Sequence, residues 1–217
     1  MSARRPLRLA TAGTLIAVLA VAVLAVDQFT KYLAITFLPS ETLVPVLGDF
    51  FGLYLIRNSG AAFSFGAGVT WVFTLALAAV AVVIVVLVRR VRSRAWAIVL
   101  GLLLGGVLGN LTDRLFREPG FAIGHVVDFI STPWMWFWTN PAIYNVADCF
   151  IVTMMVTIAI LVLIGLRLDG TRETRADADA TGAAESEGAV TEAPASEVSG
   201  SEVSGSDGAV TDEPRRD

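Results

Sequence analysis

Two aspartates, Asp128 and Asp148, lie beside the ends of hydrophobic segments in a chain dominated by apolar sequence. Each sits in a short cluster of polar and small residues, Gly-His-Val-Val-Asp-Phe-Ile at 124–130 and Tyr-Asn-Val-Ala-Asp-Cys-Phe at 144–150. A carboxylate near lipid costs about 2.5–3.5 kcal/mol on insertion scales, so its presence there asks for a reason. Two carboxyls brought close together cannot both ionise cheaply; they share a proton and titrate as a pair. The ionised partner can then take a proton from water while the protonated partner polarises a peptide carbonyl. Aspartic proteases work this way, without a Ser, Cys or His nucleophile and without a metal or other cofactor.

Other polar residues accompany the pair. Asp27 and Lys31 are four apart with the acid first, the favourable order for a helical ion pair, and the pattern alone fits either a solvated pair at a helix end or a functional one. Asn58-Ser59-Gly60-Ala61-Ala62-Phe63-Ser64 is rich in small residues that permit close backbone approach. Asn110 and Arg114 are four apart, on one face of a helix, and Asn145 and Asp148 are three apart. Asp128 is expected in a connection between hydrophobic segments. Around a carboxyl pair, Asn and Arg side chains can position a substrate backbone and stabilise developing negative charge. Asp113 beside Arg114 reads as a local charge pair, and His125 as a loop residue.

Composition narrows the chemistry. A hydrophobic content of 55% and a mean hydropathy of +0.68 average a far more apolar first part with a polar tail. Residues 176–217 carry 11 Asp or Glu, two Arg and no aromatic residue, so the net charge of −4 comes from the tail and gives no reason to expect a nucleic-acid partner. One Cys and one His exclude an internal disulfide and a Cys/His zinc site. Cys149, within an apolar run, reads as a small hydrophobe.

The elements that must hold these residues are membrane helices. A bilayer core about 30 Å thick needs about 20 mainly apolar residues. Four stretches qualify: Leu9–Val26, Val69–Val88, Ala95–Leu111 and Ala142–Leu166. The first follows Arg4, Arg5 and Arg8, like a signal peptide. Its length, and its continuation into Asp27-Gln28-Phe29-Thr30-Lys31, favour an uncleaved helix. Arginines cluster at the N-terminus, at 89–94 and at 167–175, so the positive-inside rule places both termini in the cytoplasm. The connections at about 27–68 and 113–141, and every unusual polar residue, then face outward.

Glu41–Val46 and Phe51–Arg57 are β-branched and aromatic runs around a Leu47-Gly48-Asp49 break, which predicts a small hairpin or sheet on the membrane surface. Trp134, Trp136, Phe137 and Trp138 predict an aromatic anchor at the outer interface. The tail from about residue 171 repeats Ser-Glu-Val-Ser-Gly and Gly-Ala-Val-Thr and has too little apolar content to fold; it reads as an acidic, low-complexity cytoplasmic extension. From the residues alone, a small carrier and a non-catalytic scaffold compete with a membrane peptidase. A carrier would place its charges nearer the midplane, and a scaffold leaves Asp148 unexplained.

Five blocks occur in order between the four crossings: Asp27-Gln28-x-x-Lys31, Asn58-x-Gly60-Ala61-Ala62-Phe63, Gly109-Asn110-x-x-Asp113-Arg114, Val127-Asp128-Phe129 and Asn145-x-Ala147-Asp148. Over about residues 9–166 they resemble the bacterial lipoprotein signal peptidases, signal peptidase II. The resemblance implies an aspartyl endopeptidase of the plasma membrane that cuts the signal peptide from a diacylglyceryl-modified prolipoprotein just before its lipid-modified cysteine. It implies Asp128 and Asp148 as the catalytic pair, Asn58, Asn110, Arg114 and Asn145 as pocket-lining residues, and Asp27 with Lys31 as a supporting pair. It further implies a mainly α, four-helix membrane domain over residues 1–170 with a small β-cradle at about 36–68. Membrane lipid is the expected surrounding, and a monomer the expected working form. The acidic tail, and the long aromatic loop between the two aspartates, fall outside the family's pattern.

Overall fold

The computed structural model describes residues 7–60, 69–133 and 142–172. In chain order the elements are α1 (Leu9–Phe37), β1 (Leu43–Leu47), β2 (Phe51–Asn58), α2 (Thr70–Leu87), a 3-10 turn (Val88–Arg90), α3 (Arg94–Phe116), β3 (Val126–Ser131), β4 (Ile143–Tyr144) and α4 (Val146–Leu163). All four α-helices are long and apolar enough to cross a membrane. Their outward faces are apolar too: Val82, Val85, Val152 and Val156 are all exposed. That inversion of the usual rule fits lipid rather than water as the surrounding solvent.

The helix at the centre is α3, which packs on α1, α4 and α2. Its apolar window is 67% buried, against 11–22% for the other three. Glycines four apart make this possible. A Cβ on Gly101 would meet Ile16, on Gly105 Val23 and Ala20, and on Gly109 the Asp27 carboxylate and Ala147. Gly106, on a neighbouring face, lies against Ala147 and Ile151 of α4. Small residues at this spacing let membrane helices approach at backbone distance, where van der Waals contact replaces the missing hydrophobic drive.

At one end of the bundle sits an antiparallel four-stranded sheet in the order β1-β2-β3-β4. The predicted hairpin is β1–β2, with Val44 opposite Leu53. It extends through β3, which comes from the connection between α3 and α4. Asp128 is therefore in the expected connection, on a strand and opposite Ile56 of β2. Val126–Ser131 is buried at nearly every position, so it lacks the in–out alternation that marks a surface strand. Val127, Phe129, Leu55 and Ala34 form a small apolar core beneath the sheet.

Three helix boundaries differ from expectation. The first helix does not stop near Val26 but runs 29 residues to Phe37, which places Asp27 and Lys31 on a continuous, buried face. The third continues past Leu111 to Phe116. The fourth begins at Val146 rather than Ala142, because Ile143–Tyr144 pairs with β3 instead. The Ala61–Ser64 segment, the aromatic group at 134–138 and the acidic tail lie outside the described residues.

Candidate active site

At Asn145 the chain passes from strand β4 into helix α4, and the residue is the N-cap of that helix. Its side-chain oxygen accepts the Asp148 backbone N–H at 3.0 Å, and the Asp148 carboxylate accepts the Asn145 backbone N–H at 3.1 Å. This reciprocal arrangement satisfies two of the amide donors that a helix start leaves orphaned. Asn145 is thus not on the face of α4, as its spacing from Asp148 implied, but one step before it. The same residue also reaches the other carboxylate. Its Nδ2 donates to Asp128 Oδ1 at 2.6 Å and to Asn110 Oδ1 at 3.1 Å. Asn145, wholly buried, therefore ties Asp148 on α4 to Asp128 on β3.

Asn58 and Asn110 complete the setting. Asn58 lies opposite Val126, which makes it the diagonal neighbour of Asp128 on the same face of the sheet. Its Nδ2 donates to Asp128 Oδ2 at 2.9 Å. Asn110, on α3, donates to Asp148 Oδ1 at 2.7 Å and accepts from Lys31 Nζ at 3.0 Å. Each carboxylate thus receives one amide on each oxygen, from three residues in all: Asn58 on β2, Asn110 on α3 and Asn145 between β4 and α4. Asp128 is only 2% exposed, and Asp148 is half-buried. Burial, and then the charge of Asp148, push the Asp128 carboxyl up to about 7, against the opposing pull of the Asn58 and Asn145 amides.

Beneath the pair lies a buried ionic network. Lys31 Nζ is 2.9 Å from Asp27 and 2.9 Å from Asp113, all three side chains fully inaccessible. Asp113 also takes Arg117 Nε at 2.6 Å and the Val127 backbone N–H at 3.1 Å, so it holds the strand that carries Asp128. Asp27 takes the Ala147 N–H at 2.9 Å, in the first turn of α4. Gln28 joins Asp27, Asp113 and the Gly109 carbonyl, and accepts from Arg117. Two acids and two bases balance here, which is the condition for tolerating charge away from water.

Two readings of the sequence change at this point. Asp113 and Arg114 are not a local pair, because adjacent residues on a helix point in different directions. Asp113 turns to Lys31 and Arg117. Arg114 grips backbone carbonyls: Ser59 at 3.0 Å, Asn58 and Gly124 at 3.3 Å each, and Gly60. Its guanidinium holds the segment after β2 and also lies over the Phe73 ring. Nor is Asp27–Lys31 a solvated pair, since both are buried. Sequence reasoning passed over Arg117, and met Gln28 only inside a motif. A polar side chain one position from Asp27 in an otherwise apolar helix was the available signal for Gln28. His125 is a loop residue as expected. Burial, and then the charges of Arg114 and Arg57, hold its imidazole below its ordinary value and so neutral at pH 7.

Comparison with known proteins places the chain in a family. Residues 19–164 match the family described as signal peptidase (SPase) II. A lipoprotein signal peptidase of Leifsonia xyli subsp. xyli is 46% identical over 177 residues, covering 81% of this chain and 80% of the relative. One from Rhodococcus jostii is 47% identical over 159 residues, covering 73% and 77%. A solved structure described as a bacterial membrane enzyme superposes with a TM-score of 0.62 at 25% identity, covering 79% of this chain and 98% of the other. The chain belongs to the signal peptidase II family of aspartic peptidases.

Proposed function

We propose that this protein removes the signal peptide from diacylglyceryl-modified prolipoproteins by cutting just before the lipid-modified cysteine, with Asp128 and Asp148 as a two-carboxylate catalytic pair and water as the nucleophile. The observation that carries this reading is Asn145, which binds both carboxylates at once and places them at one end of a bundle of apolar helices. A lipid-modified substrate keeps its acyl chains in the bilayer and presents its scissile bond near the surface. A site that uses water has to lie at that depth, where helix ends let water in.

The division of labour follows from the environments. Asp128, buried and with its carboxyl raised to about 7, holds the shared proton near neutral pH. Asp148 is the more accessible member, and its oxygens accept N–H bonds from Asn110 and Asn145. In the forward step the Asp148 carboxylate takes a proton from water as the water oxygen bonds to the scissile carbonyl carbon. The Asp128 proton is donated toward the carbonyl oxygen, which leaves a neutral diol. Asp148 then returns its proton to the leaving amine as the C–N bond breaks, and Asp128 recovers its own from the collapsing diol.

In this reading Asn58, Asn110 and Asn145 line the pocket and fix the two carboxylates. Arg114 shapes the wall after β2, and Asp27 with Lys31 supports both from below. The protein works as a monomer in the plasma membrane, both termini inside and the carboxylates toward the outer face, an orientation supported by the arginine distribution. The deciding experiment is cleavage of a lipidated precursor peptide by purified Asp128→Asn and Asp148→Asn variants, each checked for folding. Loss of cleavage in both is expected; cleavage retained in either one overturns the pair.

A further inference from the structure

At the end of the bundle opposite the aspartates, the turn after α2, the start of α3 and the end of α4 enclose a cleft of about 730 Å³. Arg89, Arg90, Arg92 and Arg167 line it, with Asp169 the one acid among the lining residues. That acid accepts the Thr171 N–H at 2.8 Å and hydroxyl at 2.7 Å and also feels the Arg167 charge, so one carboxylate stands against four guanidinium groups. Basic residues at helix ends orient a membrane protein wherever they fall. Here they converge on one cavity, which orientation does not require.

The cleft is also built rather than incidental. The segment after α4 is bonded to the start of α3. Trp96 Nε1 donates to the Leu166 carbonyl at 2.8 Å, and the Arg92 and Ser93 amides donate to the Leu168 carbonyl at 2.8 and 3.0 Å. Arg92 is tied down further by bonds from its guanidinium to the carbonyls of Arg89 and Val91. Below the arginines the walls turn apolar at Trp96, Val162 and Leu166. On the same two helices Val82, Val85 and Val86 of α2 and Leu163 of α4 are exposed apolar residues.

We propose that this cleft binds the phosphate headgroup of an anionic phospholipid in the leaflet opposite the aspartates. Several guanidinium groups around one cavity match a phosphate diester, whose oxygens accept the paired N–H donors of Arg. The apolar floor, and the exposed apolar residues of α2 and α4, offer contact for acyl chains, which a soluble phosphate would leave unused. Basic pockets between membrane helices bind anionic headgroups on these terms.

The test uses the full chain in a neutral detergent, with thermal unfolding followed as phosphatidylglycerol, phosphatidylcholine or glycerol 3-phosphate is titrated in. Phosphatidylglycerol should raise the midpoint temperature in a saturable way, because a ligand of the folded state stabilises it. Phosphatidylcholine and glycerol 3-phosphate should not. In an Arg89→Gln, Arg90→Gln, Arg167→Gln triple variant the half-saturating phosphatidylglycerol should rise about a hundredfold, at about fivefold per arginine. The triple should keep its midpoint without anionic lipid, and its cleavage of lipidated peptide in phosphatidylcholine. Should the triple fail to fold, Arg90→Gln alone must show the fivefold change. An equal shift with phosphatidylcholine, or an unchanged half-saturation in the variants, overturns the site. A full shift with glycerol 3-phosphate overturns the lipid as its occupant.

Discussion

Asn145 and Asp148 cap each other: each offers an oxygen to the other's backbone N–H, at 3.0 and 3.1 Å. Asp148 is therefore both the first-turn cap of α4 and a proposed catalytic carboxylate, and its substitutions should separate the two duties. Asp148→Asn keeps an oxygen for the cap, so it should unfold within about 0.5 kcal/mol of the parent while losing cleavage. Asp148→Glu retains a side chain suited to a capping box, yet its longer arm displaces the carboxylate, so folding should again survive and activity not. Asp148→Ala should lose both, with stability down by about 1 kcal/mol. Thermal melts beside peptide cleavage rates check all three; an active Asp148→Glu would mean that carboxylate position is not critical.

The pH dependence has a definite sign. The Asp128 carboxyl is raised to about 7, so the fold favours its protonated form. Its stabilising contribution is fully present below about pH 4 and is lost as the pH rises through about 7. Activity that needs the shared proton should decline over the same upper range. Asn58 donates to the charged form of Asp128 and so opposes the rise. Asn58→Ala should move the alkaline limb of kcat/KM upward by about one pH unit, from the loss of a charged hydrogen bond worth about 1.5 kcal/mol. A limb that stays put or moves down would assign that titration to some other group.

Lys31 touches Asp27, Asp113 and Asn110 while fully buried. Lys31→Met leaves buried Asp27 without a cation and Asp113 with Arg117 alone. The expected loss is about 3–5 kcal/mol of stability, the usual result of breaking a buried pair from one side. A Lys31→Met, Asp27→Asn double variant should recover part of it. Denaturation midpoints in a single detergent measure both, and a Lys31→Met protein as stable as the parent would show the network to be unimportant to the fold.

Gly109 leaves room for Asp27. A Cβ there would lie 2.5 Å from Asp27 Oδ2 and 3.2 Å from Ala147 Cβ. Gly109→Ala should therefore push Asp27 from the Ala147 amide and disturb the start of α4, at a cost of about 1–3 kcal/mol. Its effect on kcat should exceed that of a distant helix–helix clash such as Gly101→Ala, because Gly109, unlike Gly101, abuts a residue that positions Asp148. Equal kcat values for the two variants would refute this.

The four crossings and both aspartates were legible because each sets a long apolar run against an isolated polar residue, a contrast that composition alone displays. The strand carrying Asp128 was not. Val126–Ser131 is buried on both faces, so its pattern has no period of two, and its partner β2 lies some 70 residues away in sequence. The role of Asn145 is half visible in the sequence: it stands three residues before Asp148, but a capping residue and a helix-face residue look alike until the helix start is located. Arg114 was placed correctly on α3 beside Asn110. Only the folded chain shows that its guanidinium is spent on the carbonyls of residues 58–60 and 124.

One further consequence follows from where the carboxylates are mounted. Asp128 belongs to a buried strand of the sheet and Asp148 to a membrane helix, and the amide that joins them belongs to the junction between β4 and α4. No single hairpin or helix brings the pair together. A nascent chain whose helices have inserted but whose sheet has not yet docked holds the two acids apart, and Asp128 then lacks the burial that raises its carboxyl. On the proposed chemistry a chain with the two acids apart is proteolytically silent. Completion of the fold is itself the activation step.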